Sequence, residues 1–208
     1  HPALLRQMVR EGHDIGNHSY THPNLSTLSP DWVRLELNST QRVVEAYTGR
    51  SMRLLRAPFF GDAEPTTDDE LVPARIAQDL GYTNVGLHVD SEDWTKPGVA
   101  AIIKNTLDGV HAGTENAEEP ACKRDPSNCR SGQIILMHDS GGIRQETIDA
   151  LPTILRTLKA EGYTFVPVGD LVGLTQDQVM PKLTGSDLAS VRFDVGIFVA
   201  MAFIGDLL

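Results

Sequence analysis

The 208-residue sequence has no excess of positive charge. It contains 18 lysine and arginine residues against 28 aspartate and glutamate residues, for a formal net charge of −10 at pH 7. Proteins that bind nucleic acid present a basic face to the phosphate backbone. The composition therefore argues against a nucleic-acid partner. With 40% hydrophobic and 22% charged residues, and no repeat or low-complexity stretch, the chain is typical of one globular domain.

The sequence also lacks an apolar run of about 20 residues, the length that a membrane-spanning helix needs. The apolar stretch from Val195 to Gly205 falls well short of that length. It admits two interpretations, a buried terminal helix or the start of a transmembrane helix. At the other end there is no initial methionine and no signal peptide, and the first residues already have helical spacing. We therefore expect further sequence upstream.

Cysteine is scarce, since Cys122 and Cys129 are the only two in the chain. They flank a polar loop, and their spacing is not the C-x-x-C of a zinc knuckle. A disulfide between them would close a short loop and stabilise the fold by about 2–3 kcal/mol. That bond would imply an oxidising compartment. The alternative is two free thiols in a surface loop.

Helical and extended patterns alternate along the chain. The predicted helices are SPDWVRLELNSTQRVVEAYTG, TTDDELVPARIAQDLGY, GVAAIIKNTLDGVHA and ETIDALPTILRTLKAEGY. The predicted strands are HDIGNHS, MRLLRAPFF, YTNVGLHVD, GQIILMHD, expected to be buried on both faces, and TFVPVGDL. This alternation predicts an α/β fold with a mostly parallel sheet, either open or closed into a barrel.

Local signals set the helix ends and the expected core faces. Ser29 is predicted to cap the first of these helices, which Gly49 ends, and Thr67 with Glu70 forms a capping-box pattern. Two sets of apolar residues are predicted to face the core, namely Val33, Leu37, Val44 and Tyr47 in one helix and Ile148, Leu151, Leu155 and Leu158 in another.

Four successive predicted strands end in polar residues, and parallel strands gather such ends at one edge of a sheet. These residues are Asn17, His18, Ser19 and His22, then Arg56, then Asp90 to Trp94, then His138 and Asp139. Taken singly, each has a plain structural interpretation as a turn, a surface charge or a core histidine. Four such ends in equivalent positions indicate a functional site.

The first of these ends has the spacing H-x-x-x-H. Gly16 and Pro23 make a helix unfavourable there, so a curled loop must bring His18 and His22 together. Neutral imidazoles suit zinc or a similar transition ion. Without other support, the same pair is equally compatible with polar residues in a turn.

In order and type, the segments HSYTH, RAPFF, DSEDW and ILMHD resemble the second to fifth motifs of the polysaccharide deacetylases with NodB homology, carbohydrate esterase family four. The resemblance runs from about His1 to Leu174. It implies a distorted (β/α) barrel, incomplete at the N-terminus, over residues 1–174. Residues 175–194 would then be a linker and residues 195–208 an apolar tail.

The resemblance implies roles for the first two segments. His18 and His22 would bind a divalent metal, usually zinc in this family. Arg56 would orient the catalytic base, and Phe59 would give its backbone N–H to the oxyanion.

It also implies roles for the last two segments. His138 would be the general acid, paired with Asp93. Trp94 would help to wall the pocket, and Leu136 would line the slot for the acetyl methyl group. The implied reaction is the hydrolysis of N-acetyl groups from a polysaccharide that contains N-acetylglucosamine, with release of acetate.

The family's first motif, T-F-D-D-G, is absent from the 208 residues. It supplies the catalytic base and the third metal ligand. The aspartate pair Asp68–Asp69 does not replace it, because the pair lies at a predicted helix start beside Thr67, where acidic residues favour a capping role. We therefore expect the motif to lie upstream, and the chain as it stands to be inactive.

The segment FVPVGDLVGLTQDQVMP and the apolar tail resemble bacterial proteins in which a deacetylase domain precedes membrane segments and a glycosyltransferase. This implies an extracytoplasmic domain, periplasmic or at the cell surface, attached to the membrane through the tail. Two other functions stay open, a non-catalytic carbohydrate-binding or scaffold domain of the same fold, and a hydrolase of acetyl esters.

Overall fold

A computed structural model describes residues 1–59, 67–115 and 133–205. The chain divides into two compact units. The first comprises His1–Val85 and Val172–Leu208, and the second comprises Gly86–Leu171. Cys122 and Cys129 lie outside the described residues, so the disulfide stays a prediction.

The described helices and strands follow one another in the predicted alternation. The helices are α1 (Pro2–Arg10), α2 (Pro30–Thr48), α3 (Asp68–Asp79), α4 (Val99–Glu115), α5 (Gln145–Ala160), α6 (Val168–Leu171), α7 (Gln176–Val179) and α8 (Gly185–Gly205). The strands are β1 (Leu54–Leu55), β2 (Thr83–Asn84), β3 (Val89–Asp90) and β4 (Ile135–Leu136), and short 3₁₀ turns occupy Leu25–Thr27 and Asp93–Thr95.

Helix α2 has the predicted ends. Pro30 occupies its first turn, and Gly49 terminates it in the left-handed conformation, with φ of 68°. The expected capping bond from the Ser29 side chain is absent from this helix start, so that detail was wrong. Tyr47 was also assigned to the core, but it is exposed, because it lies in the last turn beyond the buried stripe.

In the first unit, β1 and β2 pair in parallel. The segment predicted as the first strand contributes a single parallel bridge between Asn17 and Leu55. There the Asn17 N–H donates to the Leu54 carbonyl at 2.8 Å, and the Arg56 N–H donates to the Asn17 carbonyl at 3.0 Å. This bridge places the residues after Asn17 beside the end of β1.

The core of the first unit lies between α2, α3 and the β1–β2 pair. Its buried apolar residues are Leu25, Val33, Leu37, Val44, Met52, Leu55, Ala57, Ile76, Ala77 and Tyr82. Helix α3 begins with the predicted capping box, in which the Glu70 carboxylate accepts the Thr67 N–H at 3.3 Å.

In the second unit, β3 and β4 pair in parallel, and α4 packs on α5. The core residues are Val89, Ile102, Val110, Ala150, Ile154 and Leu158. The single strand predicted over YTNVGLHVD was wrong. It is two short strands in different sheets, since β2 pairs with β1 and β3 pairs with β4. Gly86 lies between them, and glycine weakens a strand interior.

The predicted core face of α5 was only partly right, since Leu158 is buried but two of the other predicted residues are exposed. Ile148 is 57% exposed and Leu155 is exposed too, whereas Thr147 and Ile154 are buried. The helix is rotated towards Thr147, whose hydroxyl donates to the buried Asp93 carboxylate. Apolar periodicity could not predict this face because one of its residues, Thr147, is polar.

Two expected strands are shorter than predicted or absent. Ile135 and Leu136 in β4 are half-buried, not buried on both faces, and an apolar cavity of about 380 Å³ borders Ile135. The segment TFVPVGDL contains no strand, and its Phe165 is exposed. Pro167 lacks a backbone N–H and precedes α6, which replaces the end of the predicted strand.

Helices α7 and α8 lie in the region predicted as a linker and tail. Arg42 of α2 donates to the Asp194 carboxylate of α8 at 2.5 Å, and Arg50 donates to Asp177 of α7 at 2.6 Å. Across residues 1–59, 67–115 and 133–205, no helix combines the length and apolarity required to cross a membrane. The domain boundaries stay a prediction.

Candidate active site

The histidine loop, Asn17–His22, begins at a buried asparagine. The Asn17 side-chain oxygen accepts the Ser19 N–H at 2.9 Å. Its amide group donates to the Leu37 carbonyl at 2.8 Å and to the Tyr82 hydroxyl at 3.0 Å. Asn17 is therefore fixed from three sides, and the loop starts from a rigid point.

The middle of the loop bonds to Glu36 of α2. One carboxylate oxygen accepts the Tyr20 N–H at 2.8 Å and the Thr21 N–H at 2.7 Å, and the other accepts the Thr21 hydroxyl at 2.7 Å. Burial by itself raises the pKa of Glu36, but the hydrogen bonds from Thr21 and Tyr20 outweigh it and hold the pKa below its usual value.

Two residues of the loop adopt the left-handed conformation that favours glycine. Ser19 has φ of 63° and His22 has φ of 60°. The Ser19 hydroxyl accepts the His22 N–H at 3.1 Å, which closes the turn between them. Non-glycine residues persist in this conformation only where their surroundings hold them, and such residues cluster at functional sites.

His18 and His22 lie side by side on this loop. Their ring centroids are 4.9 Å apart in an edge-to-face arrangement, and both residues are exposed. His18 Nδ1 is 2.6 Å from the Arg56 carbonyl. A carbonyl only accepts, so Nδ1 carries the proton and the lone pair is on Nε2. A histidine held in this way is typical of metal ligation, so the pair fits a transition ion.

Arg56 and Phe59 follow β1 on the same unit. Arg56 is half-buried, and its carbonyl is the group that orients His18. Phe59 is 71% exposed, has φ of 67°, and lies 5.0 Å from His22 between ring centroids. Among the described residues, no group of three or more histidine, cysteine, aspartate or glutamate side chains could hold a metal ion.

The second unit contains a pair formed by Asp93 and His138. Asp93 is 1% exposed, and one of its oxygens lies 2.7 Å from His138 Nδ1. Its other oxygen accepts the His138 backbone N–H at 2.8 Å and the Thr147 hydroxyl at 2.9 Å. Burial by itself raises the pKa of Asp93, but the bonds from His138 and Thr147 outweigh it and lower the pKa. Asp93 is thus ionised and acts as an acceptor, so His138 Nδ1 is the donor.

The β3–β4 pairing positions this pair. The Ser91 hydroxyl after β3 donates to the Leu136 carbonyl at 2.8 Å. Leu136 is half-buried, and Trp94 is exposed. Arg144 donates to the Asp93 carbonyl at 3.2 Å, and this bond ties the start of α5 to the turn at Asp93.

The structure therefore groups the predicted residues into two sets, each within its own unit. The first set is His18, His22, Arg56 and Phe59, and the second is Asp93, Trp94, Leu136 and His138. Sequence reasoning missed Glu36 and Thr147. The available signal was a polar residue on the apolar face of a helix, a position that is costly unless the side chain is hydrogen-bonded.

Comparisons with known proteins identify the family. Residues 1–85 match the family model described as polysaccharide deacetylase. A peptidoglycan-N-acetylglucosamine deacetylase from Bacillus cereus is 31% identical over 175 residues, which cover 82% of this chain and 68% of that protein. The chain belongs to the polysaccharide deacetylase family. As the resemblance predicted, it is related to enzymes named as hydrolases of N-acetyl groups.

Two further polysaccharide deacetylases show the range of named relatives. A chitooligosaccharide deacetylase from Azorhizobium caulinodans is 28% identical over 169 residues, covering 81% of this chain and 73% of that protein. The deacetylase PgdA from Listeria monocytogenes is 29% identical over 172 residues, covering 83% of this chain. The chain spans only 30% of that longer relative.

Solved structures show the same fold. A peptidoglycan N-acetylglucosamine deacetylase in complex with a benzamide derivative has a TM-score of 0.65 at 26% identity, covering 84% of this chain and 70% of that one. A pseudoenzyme of carbohydrate esterase family four from Bacillus anthracis has a TM-score of 0.60 at 27% identity, covering 82% and 50%. The chain has the α/β fold of the NodB-type deacetylases.

Proposed function

We propose that these residues are part of a metal-dependent enzyme that hydrolyses N-acetyl groups of N-acetylglucosamine polymers and releases acetate. The observation that carries the proposal is the contact between His138 Nδ1 and the buried Asp93 carboxylate at 2.7 Å. A histidine oriented by a buried carboxylate is the usual arrangement of a general acid or base. The names of the relatives from Bacillus cereus and Azorhizobium caulinodans support the substrate class.

His18 and His22 are the proposed ligands of a divalent ion, which we take to be zinc. Members of this family generally depend on a metal. When bound, zinc would polarise the acetyl carbonyl and lower the pKa of bound water to about 7. On the protein side, the Arg56 carbonyl holds the His18 ring through Nδ1, so Nε2 is the nitrogen that would coordinate the ion.

His138 is the proposed proton donor. With Nδ1–H bonded to Asp93, its Nε2 is the nitrogen that can deliver a proton to the amine as the amide C–N bond breaks. The oxygen of water ends on acetate, and the amino sugar leaves protonated. Asp93 stays ionised throughout and stabilises the charged imidazole ring.

The other predicted residues complete the proposal. The backbone N–H of Phe59 is assigned to the oxyanion, a role that uses no side-chain atom. Arg56 is assigned to orienting the catalytic base. Trp94 and Leu136 are assigned to the wall of the pocket and to the acetyl methyl group.

The 208 residues contain no T-F-D-D-G sequence, and we propose that the chain by itself is inactive. The test is acetate release from N-acetylglucosamine oligomers in the presence of zinc. The chain alone should release none. The same chain preceded by a T-F-D-D-G-bearing segment from an active family member should release acetate, and His138→Ala should abolish that release. Release by the chain alone would refute the inactivity, and no release by the extended chain would refute the enzymatic proposal.

A non-catalytic domain is the second candidate. The observation in its favour is the similarity to the Bacillus anthracis pseudoenzyme. A mutant of that pseudoenzyme has restored enzymatic activity. Binding of chitin oligomers by the extended chain without acetate release would favour this candidate.

A hydrolase of acetyl esters is the third candidate. A family-four carbohydrate esterase from Streptomyces lividans, in complex with acetate, is 28% identical with a TM-score of 0.57, covering 77% of this chain and 68% of that one. Acetate release from acetylated xylan that exceeds release from chitin oligomers would favour it.

We propose an extracytoplasmic location, with attachment to the membrane through the segment that begins at Val195 and a glycosyltransferase farther along the same polypeptide. Support comes from the peptidoglycan named as substrate of the Bacillus cereus relative. Alkylation of Cys122 and Cys129 with and without a reductant tests the oxidising compartment.

A further inference from the structure

Glu36 of α2 is a buried carboxylate whose hydrogen-bond donors lie in the histidine loop. It is 7% exposed, and the three hydrogen bonds to its carboxylate all come from two residues of the histidine loop, Tyr20 and Thr21. A buried carboxylate is costly unless donors surround it. Here the donors are supplied by a segment that lies between His18 and His22.

Glu36 in turn stabilises the histidine loop. The N–H groups of Tyr20 and Thr21 belong to neither a helix nor a strand, and the Glu36 carboxylate accepts both. The same carboxylate oxygen accepts both, which fixes the two peptide planes relative to each other. The residues on either side, Ser19 and His22, are in the left-handed conformation and would relax without this constraint.

We propose that Glu36 is a positioning residue for the histidine pair, because it holds the loop so that His18 and His22 can coordinate one ion. This inference rests on the proposed metal site. The carboxylate of Glu36 bonds to Tyr20 and Thr21, which lie between the two histidines, and acts through the backbone there. Outer groups that orient metal ligands typically contribute 10–100-fold to metal affinity.

Two substitutions separate the reach of the side chain from its charge. Glu36→Gln removes the charge, but one amide oxygen at the same reach can still accept both loop N–H groups. Glu36→Asp keeps the charge but is shorter by one methylene, so its carboxylate cannot reach them in the same geometry. Positioning predicts that Gln retains metal binding and that Asp loses it.

Glu45 provides a matched control on the same helix. It is 9% exposed, and its carboxylate accepts the Ser51 hydroxyl at 2.7 Å and the Gln41 amide at 3.2 Å, both outside the histidine loop. Glu45→Ala should therefore destabilise the protein without changing its metal affinity.

The experiment is a calorimetric titration of Zn²⁺ into the 208-residue chain and its variants. The relevant binding is the part that His18→Ala removes. We expect Glu36→Ala and Glu36→Asp to weaken it by roughly 10–100-fold. Glu36→Gln should stay within about threefold of wild type, since it keeps the bonds that orient the ligands. Glu45→Ala should match wild type, and if Glu36→Ala does not fold, the Asp and Gln pair decides.

The outcomes distinguish the inference from the function on which it rests. Zinc binding that is insensitive to His18→Ala overturns the proposed metal pair itself. Histidine-dependent binding that Glu36→Asp leaves unchanged overturns the positioning role alone. A loss in the Gln variant that the Asp variant does not share would assign the effect to charge, and equal losses in Glu36→Ala and Glu45→Ala would assign it to general destabilisation. Each of these results contradicts the inference.

Discussion

Replacing Asp93 by asparagine should switch the proton on the His138 ring from one nitrogen to the other. One Asp93 oxygen accepts the His138 N–H and the Thr147 hydroxyl, and the asparagine oxygen can take over both bonds. The asparagine NH₂ group then faces His138 Nδ1, the nitrogen that donates to Asp93 in the wild type. Nδ1 must become the acceptor, so the neutral ring should carry its proton on Nε2.

The energetic cost follows from the bonds that change. A hydrogen bond to a charged group contributes about 1.5–3 kcal/mol, and a neutral one about 1 kcal/mol. Asp93→Asn turns all three bonds to the ionised carboxylate into neutral ones. Because the His138 side chain is 32% exposed, water screens its bond to Asp93, and the lower end of the range for charged bonds applies. At about 0.5 kcal/mol for each of the three bonds, we expect the free energy of unfolding to fall by about 1–2 kcal/mol.

Two measurements on the 208-residue chain check this prediction, and neither needs catalytic activity. Imidazole ¹⁵N chemical shifts report which nitrogen of His138 carries the proton, and urea denaturation reports the free energy of unfolding. Asp139→Asn is the control, because Asp139 is adjacent and exposed and should change neither. If the His138 ring keeps its proton on Nδ1 in Asp93→Asn, the assignment of Asp93 as its acceptor is wrong.

Two further predictions concern stability. Ile154→Ala should lower the free energy of unfolding by about 2–5 kcal/mol because Ile154 is buried. Ile148 is exposed, so Ile148→Ala should change that free energy by no more than about 0.5 kcal/mol. Similar losses for the two variants in urea denaturation would contradict the observed face of α5. The pKa values of Asp93 and Glu36 are lowered in the folded protein, so each carboxylate stabilises the fold at a pH above its unfolded pKa. The unfolded pKa is about 3.9 for aspartate and about 4.3 for glutamate. This stabilisation is lost as the pH falls through the folded pKa. Acid unfolding of Asp93→Asn should therefore depend less on pH below about pH 4, and an unchanged dependence would contradict the role of that carboxylate.

The helices were more predictable from sequence than the strands. Pro30 and Gly49 bound α2 through local backbone chemistry that no tertiary contact overrides. The strands are only two residues long in the structure, and the pairing that defines them depends on partners distant in sequence. Periodicity could not show that YTNVGLHVD divides between two sheets, since the division depends on which distant strand each half pairs with.

The site residues also divide into those that local sequence could predict and those that depend on tertiary contacts. Residue types and their order predicted His18, His22, Asp93 and His138 as site residues, because the proposed chemistry uses such side chains. The groups that hold them, Glu36 and Thr147, lie on helices whose polar core positions are satisfied only by tertiary contacts. Sequence alone does not reveal which buried polar residue meets which loop.

We propose that this family member deacetylates a polysaccharide with the help of a metal held by His18 and His22. The most direct measurement is acetate release from N-acetylglucosamine oligomers by the chain extended with a T-F-D-D-G-bearing segment, before and after chelation. Release should stop when the metal is removed, return when zinc is added, and be absent at any zinc concentration in the variant with both histidines replaced by alanine. Release that persists through chelation or in that variant would contradict the claim.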